Sequence, residues 1–319
     1  MVKLDELVNW AYKNSYRISW GHTGHLIDAY NEFDKKSQSG EFNDIQTSIF
    51  QNWGSFHQLN EDEMSTIILI ATSTSGKTRK IIFDCNGIKI NTLVPPWYSY
   101  DEEEKCSNTI NENLSNFLSE YGYKTRKLLG PYKYLSAKLG LGRYGRNNLV
   151  YVDGLGSYAR IAGFITNAEL TPNRYPEINS DRLVLENCST CTSCMRKCPT
   201  QAIDNDQFLL HVDRCLSYHS ELIDAGIEFS KYAEQDCLVG CLNCQDVCPY
   251  NNGFTAAENI SLVSFNREET SYIVGEYNQD IQIIEKVVEK KLEKVGLSRH
   301  KSYIVRNLRV HINSKITGR

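Results

Sequence analysis

The spacing of apolar positions changes several times along the chain, and each change predicts an element. Leu4, Leu7, Val8 and Ala11 recur with helical period, so an amphipathic helix is expected first. Residues 34–62 are polar and turn-rich and show no clear period. β-Branched runs at residues 67–71 and 79–84 then predict strands. Asn86-Gly87 predicts a tight hairpin turn into a third strand at residues 88–94. Ile110, Leu114, Phe117 and Leu118 share one face of a helix expected over residues 102–122. Glycines punctuate residues 130–156, and "SYARIAGFI" reads as a further strand. Toward the C-terminus, Ile281, Ile284, Val288, Leu292 and Val295 form the core stripe of a helical segment.

The stretch "ATSTSGKT", residues 71–78, satisfies a relaxed phosphate-loop pattern. A phosphate cradle needs a helix starting at the Lys-Thr step, so that backbone N–H groups and the helix dipole face the anion. The residues that follow, "RKIIFDCNG", read as a strand and a turn instead. A hairpin connection is the simpler account of "TSTSGKT", and ATP binding is set aside.

Composition narrows the class. At 319 residues, 41% hydrophobic and 23% charged, the chain has room for two domains of an ordinary globular protein. No apolar run reaches the roughly 18 residues a membrane span requires. The opening "MVKLDELVNW" carries acids and lacks the apolar core of a signal peptide, so a cytoplasmic setting without membrane contact is expected. Net charge is −4, yet residues 285–319 hold ten Lys/Arg against three Asp/Glu. That tail is either a solvated helix face or a contact for an anionic partner such as RNA. Eleven cysteines could mark a disulfide scaffold, but nine of them crowd into residues 188–248. Their two-residue spacings favour metal ligation in a reducing compartment.

"CSTCTSCMRKCPT" places Cys188, Cys191, Cys194 and Cys198 at the spacing of a bacterial ferredoxin half-site. Three closely spaced thiolates grip one cubane, and the fourth cysteine reaches toward the other cluster. Zinc is the rival, but it needs four ligands and rarely shows this triplet. Two [4Fe–4S] clusters are therefore expected. In "DCLVGCLNCQDVCPYN" only Cys241, Cys244 and Cys248 keep the spacing. Crosswise ligation gives one cluster Cys188, Cys191, Cys194 and Cys248. The other takes Cys198, Cys241, Cys244 and one more cysteine, either Cys215 or Cys237. Spacing alone leaves that choice open. Cys85 and Cys106 lie outside the set.

"RCLSY" followed by "GCLNCQDVCPYN" resembles the ferredoxin module of the epoxyqueuosine reductase family. "LGLGRYGRNNL" (residues 139–149), "GSYARIAGFITNAEL" (156–170) and "YIVRNLRVHI" near the C-terminus are similar to further family segments. The resemblance covers residues 130–260 well and the first 130 poorly. It implies an α+β protein: an N-terminal α/β cobalamin-reductase-like domain (residues 1–180), a two-cluster ferredoxin-like domain (181–260) and a helical C-terminal tail (261–319). It implies Cys215 as the second cluster's remaining ligand and leaves Cys237 unassigned. It also implies a cobalamin, with Gly140, Gly142, Gly145, Asn147, Ser157, Tyr158, Ser217 and Tyr218 as cofactor-binding candidates.

Departures from the family are equally specific. The family's acidic proton donor lies between its Gly-Pro and Gly-[IL]-Gly elements, whereas "GPYKYLSAKLGLG" holds no Asp or Glu. Tyr98, Tyr132 and Tyr134 are the catalytic candidates that remain, with Lys138 beside them. A glutamate of the family is replaced by Gly163. His22 and His25 have ligand-like spacing without a second pair, and His219 follows the "CLSY" segment. The leading expectation is an iron–sulfur oxidoreductase that takes electrons from a low-potential donor such as a ferredoxin or flavodoxin. Its substrate would be a small molecule or modified nucleoside. The alternatives are a non-catalytic electron carrier and an RNA-binding maturation factor.

Overall fold

The computed structural model describes residues 3–52, 64–73, 78–95, 100–170, 183–205, 209–221, 236–253, 261–277, 281–298 and 301–317. In chain order the elements begin with α1 (Leu4–Lys13), β1 (Arg17–His22), α2 (Gly24–Gln38), α3 (Asp44–Asn52) and β2 (Thr66–Ser73). There follow β3 (Arg79–Cys85), β4 (Ile88–Val94), α4 (Tyr100–Ser119), β5 (Thr125–Leu128) and α5 (Tyr132–Lys138). Next come β6 (Arg143–Tyr144), β7 (Val150–Tyr151), β8 (Ala159–Thr166), α6 (Ser193–Lys197), α7 (Leu216–Ser220) and α8 (Asn243–Asp246). The last are β9 (Ser261–Phe265), α9 (Arg267–Ile273), α10 (Ile281–Lys294) and α11 (Lys301–Thr317). Among the described residues no helix is long and apolar enough to cross a membrane.

The chain divides into two units. The first comprises Met1–Ser73 and Lys105–Thr192, the second Thr74–Glu104 and Ser193–Arg319. The first is built on an antiparallel sheet of order β1-β2-β8-β5. Strand β2 explains its own lack of alternation, because both faces are covered. Ile67, Leu69 and Ala71 pack with Leu26 and Ala29 of α2 and Leu135 and Ala137 of α5. Ile68 and Ile70 pack on the other face with Leu7 and Ala11 of α1 and Ile110, Leu114 and Leu118 of α4. A strand sandwiched this way reads as one continuous apolar run.

The second unit has a smaller sheet, β4-β3-β9. Strands β3 and β4 form the expected hairpin, with Asn86 and Gly87 both at positive φ, as a primed turn demands. Strand β9 pairs parallel to β3, with Ser261 opposite Arg79 and Phe265 opposite Phe83. Ile284, Val288 and Leu292 of α10 and Ile304, Leu308 and Ile312 of α11 join Phe83 and Phe265 in the core.

The structure corrects three expectations. Strands β2 and β3 belong to different sheets, so "TSTSGKT" does not join a hairpin; β-branched runs announce strands but not their partners. The polar stretch from residue 34 contains the end of α2 and all of α3. Those helices escape the period test because α2 buries little beyond Leu26 and Ala29, and Phe50 of α3 joins an aromatic group with Tyr30 and Phe33. Ile281 is exposed and does not join the α10 stripe. The β3–β4 hairpin belongs with the C-terminal residues because β9 completes its sheet.

Candidate functional site

The first cysteine run is shaped by short backbone turns. The N–H of Cys188 donates to the Leu185 carbonyl (3.0 Å), that of Cys191 to Asn187 (3.0 Å) and that of Cys198 to Cys194 (3.1 Å). Arg146 Nε donates to the Cys188 carbonyl at 3.1 Å. Pro199 blocks helical continuation past Cys198. The Cys198 sulfur then accepts from the Ala202 N–H at 3.3 Å and lies 3.5 Å from the Thr200 hydroxyl. Cys188 and Cys191 end the first unit, and Cys194 and Cys198 open the second.

In the second unit α6 packs on α8, which sets Cys194 beside the Cys241–Cys248 turn. Cys215 lies in extended conformation between a 3-10 turn (Val212–Arg214) and α7. The electrostatics of the thiols report which of them are neighbours. Burial pushes Cys241 up to about 12; an N–H from Asn243 opposes this, and Cys215 and Cys198 add to it. Cys244 is pushed up by burial, and then by Cys241, Cys215, Cys194 and Cys198. Cys241 and Cys244 are thus buried beside Cys215 and Cys198, with Cys194 also next to Cys244. Thiols so placed resist ionising against one another, and a cationic iron centre is what removes the penalty. The residues present therefore fit a cluster. Among the described residues no three His, Cys, Asp or Glu side chains converge closely enough for a single ion. The four ligands of a cubane each bind a different iron and stand farther apart.

Cys237 behaves differently. It is 2% exposed, and Leu93 of β4 pairs with its segment: Leu93 N–H donates to Asp236 and accepts from Leu238 through its own carbonyl, both at 2.7 Å. Burial raises its thiol first, and Cys241 is the sole cysteine that adds to this. Cys237 is a sheet-edge core residue beside the site.

Polar side chains tie the ligand segments together. Gly240 N–H donates to Ser220 Oγ at 2.8 Å, and Ser220 Oγ donates to the Ser217 carbonyl at 2.7 Å. From α11, Asn307 Nδ2 donates to the carbonyls of Ser220 (3.0 Å) and Leu238 (2.9 Å). Arg306 donates to the His219 carbonyl at 2.7 Å. His219 itself is buried, and its Nε2 donates to the Asp213 carbonyl at 2.7 Å, leaving Nδ1 buried with no hydrogen-bond partner among the described residues. Ser217, His219 and the segment that holds Arg306 and Asn307 stand out in the sequence, but nothing there says what they hold. The available signal was Asn307 and His311 falling on the same helical stripe as Tyr303, Ile304, Leu308 and Ile312.

The other sequence candidates lie elsewhere. Tyr98 falls outside the described residues. Gly140 is in the left-handed region (φ 71°), and at Gly142 a side chain would strike the Tyr151 backbone at 2.6 Å. A Cβ at Gly145 would meet the Tyr151 ring and Asn147, and Asn147 Nδ2 donates to the Tyr151 hydroxyl at 2.9 Å. The clearance of this segment is used by its own side chains. Tyr158 is buried, and Ser157, Ser217 and Tyr218 are half-buried. Tyr132 donates to the Leu128 carbonyl, and its ring fills the space beside Gly163. Tyr134 donates to Glu32 of α2, and burial, then that carboxylate, holds its proton above the ordinary tyrosine range. Cys85 and Cys106 flank the cores of the second and first units. His22 Nδ1 accepts from the Gly24 N–H, which gives it a turn-capping role.

Residues 187–251 match the family model described as a 4Fe-4S double cluster binding domain. The epoxyqueuosine reductase of Synechocystis sp. is 30% identical over 159 residues, 49% of this chain and 50% of that protein. That of Lactococcus garvieae is 34% identical over 158 residues, 45% of this chain and 42% of that one. The chain is thus similar to the epoxyqueuosine reductases over a little less than half of its length. It spans half the length or less of these curated relatives. Among solved structures, an epoxyqueuosine reductase from Bacillus subtilis, its catalytic loop swung out of the active site, superposes with a TM-score of 0.64 at 20% identity. The match covers 97% of this chain and 80% of that one. An epoxyqueuosine reductase solved with an epoxyqueuosine-modified tRNA stem loop gives 0.64 at 18% identity over the same shares. At these identities the likeness is one of fold, and the epoxyqueuosine reductase-like architecture accounts for the mixed helix and sheet found here.

Proposed function

We propose that the chain is an iron–sulfur reductase with two [4Fe–4S] clusters, acting on a substrate of the modified-nucleoside or RNA class. Cys188, Cys191, Cys194 and Cys248 ligate one cluster, and Cys198, Cys215, Cys241 and Cys244 the other. The observation that carries the reading is the burial of Cys241 and Cys244 beside Cys198 and Cys215, with Cys194 also next to Cys244 and Cys237 drawn off to the sheet edge. Electrons enter from a low-potential carrier. The Ala202 N–H donates to the Cys198 sulfur and the Asn243 N–H favours the Cys241 thiolate, and both help set the second cluster's potential.

Cobalamin enters the proposal through the family likeness alone; when bound it would supply the reducing metal chemistry. Nothing in the segment from Gly140 to Asn147 calls for it, because Gly142 and Gly145 have a packing reason of their own in Tyr151 and Asn147. Tyr134, held to Glu32 with its proton tightly retained, serves as an anchor between α5 and α2 and is a poor acid at neutral pH. These two observations favour a second reading, a cluster protein that hands electrons to a separate enzyme. Anaerobic reconstitution separates the readings. About eight irons and eight sulfides per chain are expected for either, and about four would sink the two-cluster claim. Corrin absorbance retained after incubation with hydroxocobalamin and desalting supports the reductase. A corrin-free protein with both clusters supports the carrier.

A further inference from the structure

Helix α11 buries polar side chains on an otherwise apolar face. Tyr303, Ile304, Leu308 and Ile312 enter the core of the second unit, and Asn307 is completely buried among them. An amide in that position is costly unless its hydrogen bonds are made. Asn307 makes them with backbone on either side of the thiol site. Its Nδ2 bonds the Ser220 carbonyl, at the end of the helix that starts after Cys215, and the Leu238 carbonyl, three residues before Cys241. Its Oδ1 accepts from Arg306, whose guanidinium also bonds the His219 carbonyl. The His219 N–H in turn donates to the Cys215 carbonyl at 3.1 Å. The last carbonyls of a short helix have no intrahelical partner, and here two side chains of α11 supply one.

We infer that Asn307 and Arg306 are positioning residues for the second cluster. They fix the separation between Cys215 and the Cys241–Cys244 turn, two ligand segments that no short backbone turn joins. Helix α11 lies beyond residues 187–251 of the double-cluster domain, so this site is completed by a part of the chain that its motif does not contain. The inference rests on the reading that Cys198, Cys215, Cys241 and Cys244 share one cluster.

The full-length protein, reconstituted anaerobically, tests it through iron content and a redox titration followed by electron paramagnetic resonance. Asn307→Leu keeps the volume and removes both donors; Arg306→Ala removes the outer clamp and is the gentler change. Asn307→Leu should lose about half of the iron. Arg306→Ala should keep both clusters while the potential and spectrum of one of them shift, and Arg306→Lys should restore part of that shift. Unchanged iron and potentials in both variants would overturn the inference, as would equal loss of the two clusters. Cys215→Ala, measured alongside, separates the two layers. Full iron in Cys215→Ala removes the ligand reading itself. Half iron there, with Asn307→Leu and Arg306→Ala unaffected, removes only the role of α11.

Discussion

Between Cys188 and Cys198 the turns are closed by hydrogen bonds that span three or four residues, so the sequence segment shapes itself. The Cys241–Cys248 turn is closed locally too, with the Cys248 N–H donating to the Gln245 carbonyl at 3.1 Å, but its tie to Cys215 comes from afar: Leu93 of β4 holds residues 236–238, and Asn307 and Arg306 hold the end of α7. Both runs present thiols for the same kind of cluster, yet the second joins two separate sequence segments through tertiary contacts. Under the proposed assignment, the difference teaches that a ligand can be missing from a spacing pattern without being missing from the site. It also means that substitutions on α11 should disturb the second run and spare the first.

The largest test of this contrast concerns the fourth ligand. Cys215→Ala should halve the iron of the reconstituted protein, whereas Cys237→Ala should keep it whole; the opposite outcome would make Cys237 the ligand. A smaller effect is expected at Ser220. Removing its hydroxyl strips the buried Gly240 N–H of its acceptor and should cost about 1–3 kcal/mol in denaturant unfolding. Ser189→Ala, its counterpart on the exposed first run, should stay within about 0.5 kcal/mol. Equal costs would erase the asymmetry. The smallest effect lies in the acid limb of stability. Burial pushes His311 below its ordinary value, and its hydrogen bond to the Cys237 carbonyl pulls the other way. Below about pH 6.5 the unfolded chain binds the proton more readily than the folded one, so the stability contributed by the neutral ring is present above that pH and lost on acidification. In cluster-free protein His311→Gln should flatten the decline of the urea midpoint toward acid, and an unaltered slope would count against this account.

Much of this was legible in the residues. The apolar run of β2, the Asn86-Gly87 turn and the stripes of α4 and α10 announced themselves because burial of one or both faces leaves a period behind. The first cysteine run was legible for a related reason, since local turns fix local spacing. Partnership was not. Nothing in residues 79–85 says that their neighbour begins at Ser261, and nothing in α3 marks Phe50 as the member of an aromatic cluster. Asn307 was the least visible, because an amide within an apolar stripe looks like a lapse in the pattern until its two carbonyl partners are seen. The glycines at residues 140–145 carried the opposite hazard. Their spacing invited a cofactor, while their space is taken by Tyr151 and Asn147.

The parallel pairing of β3 with β9 also constrains the order of synthesis. A ribosome releases the β3–β4 hairpin early, and the strand that covers its open edge emerges only after all eleven cysteines have been made. Until then the nascent chain exposes an unpaired edge beside unligated thiols, a state open to aggregation and to oxidation. Non-local pairing of this kind is slow. Cluster loading is therefore favoured once β9 and α11 have closed the second unit.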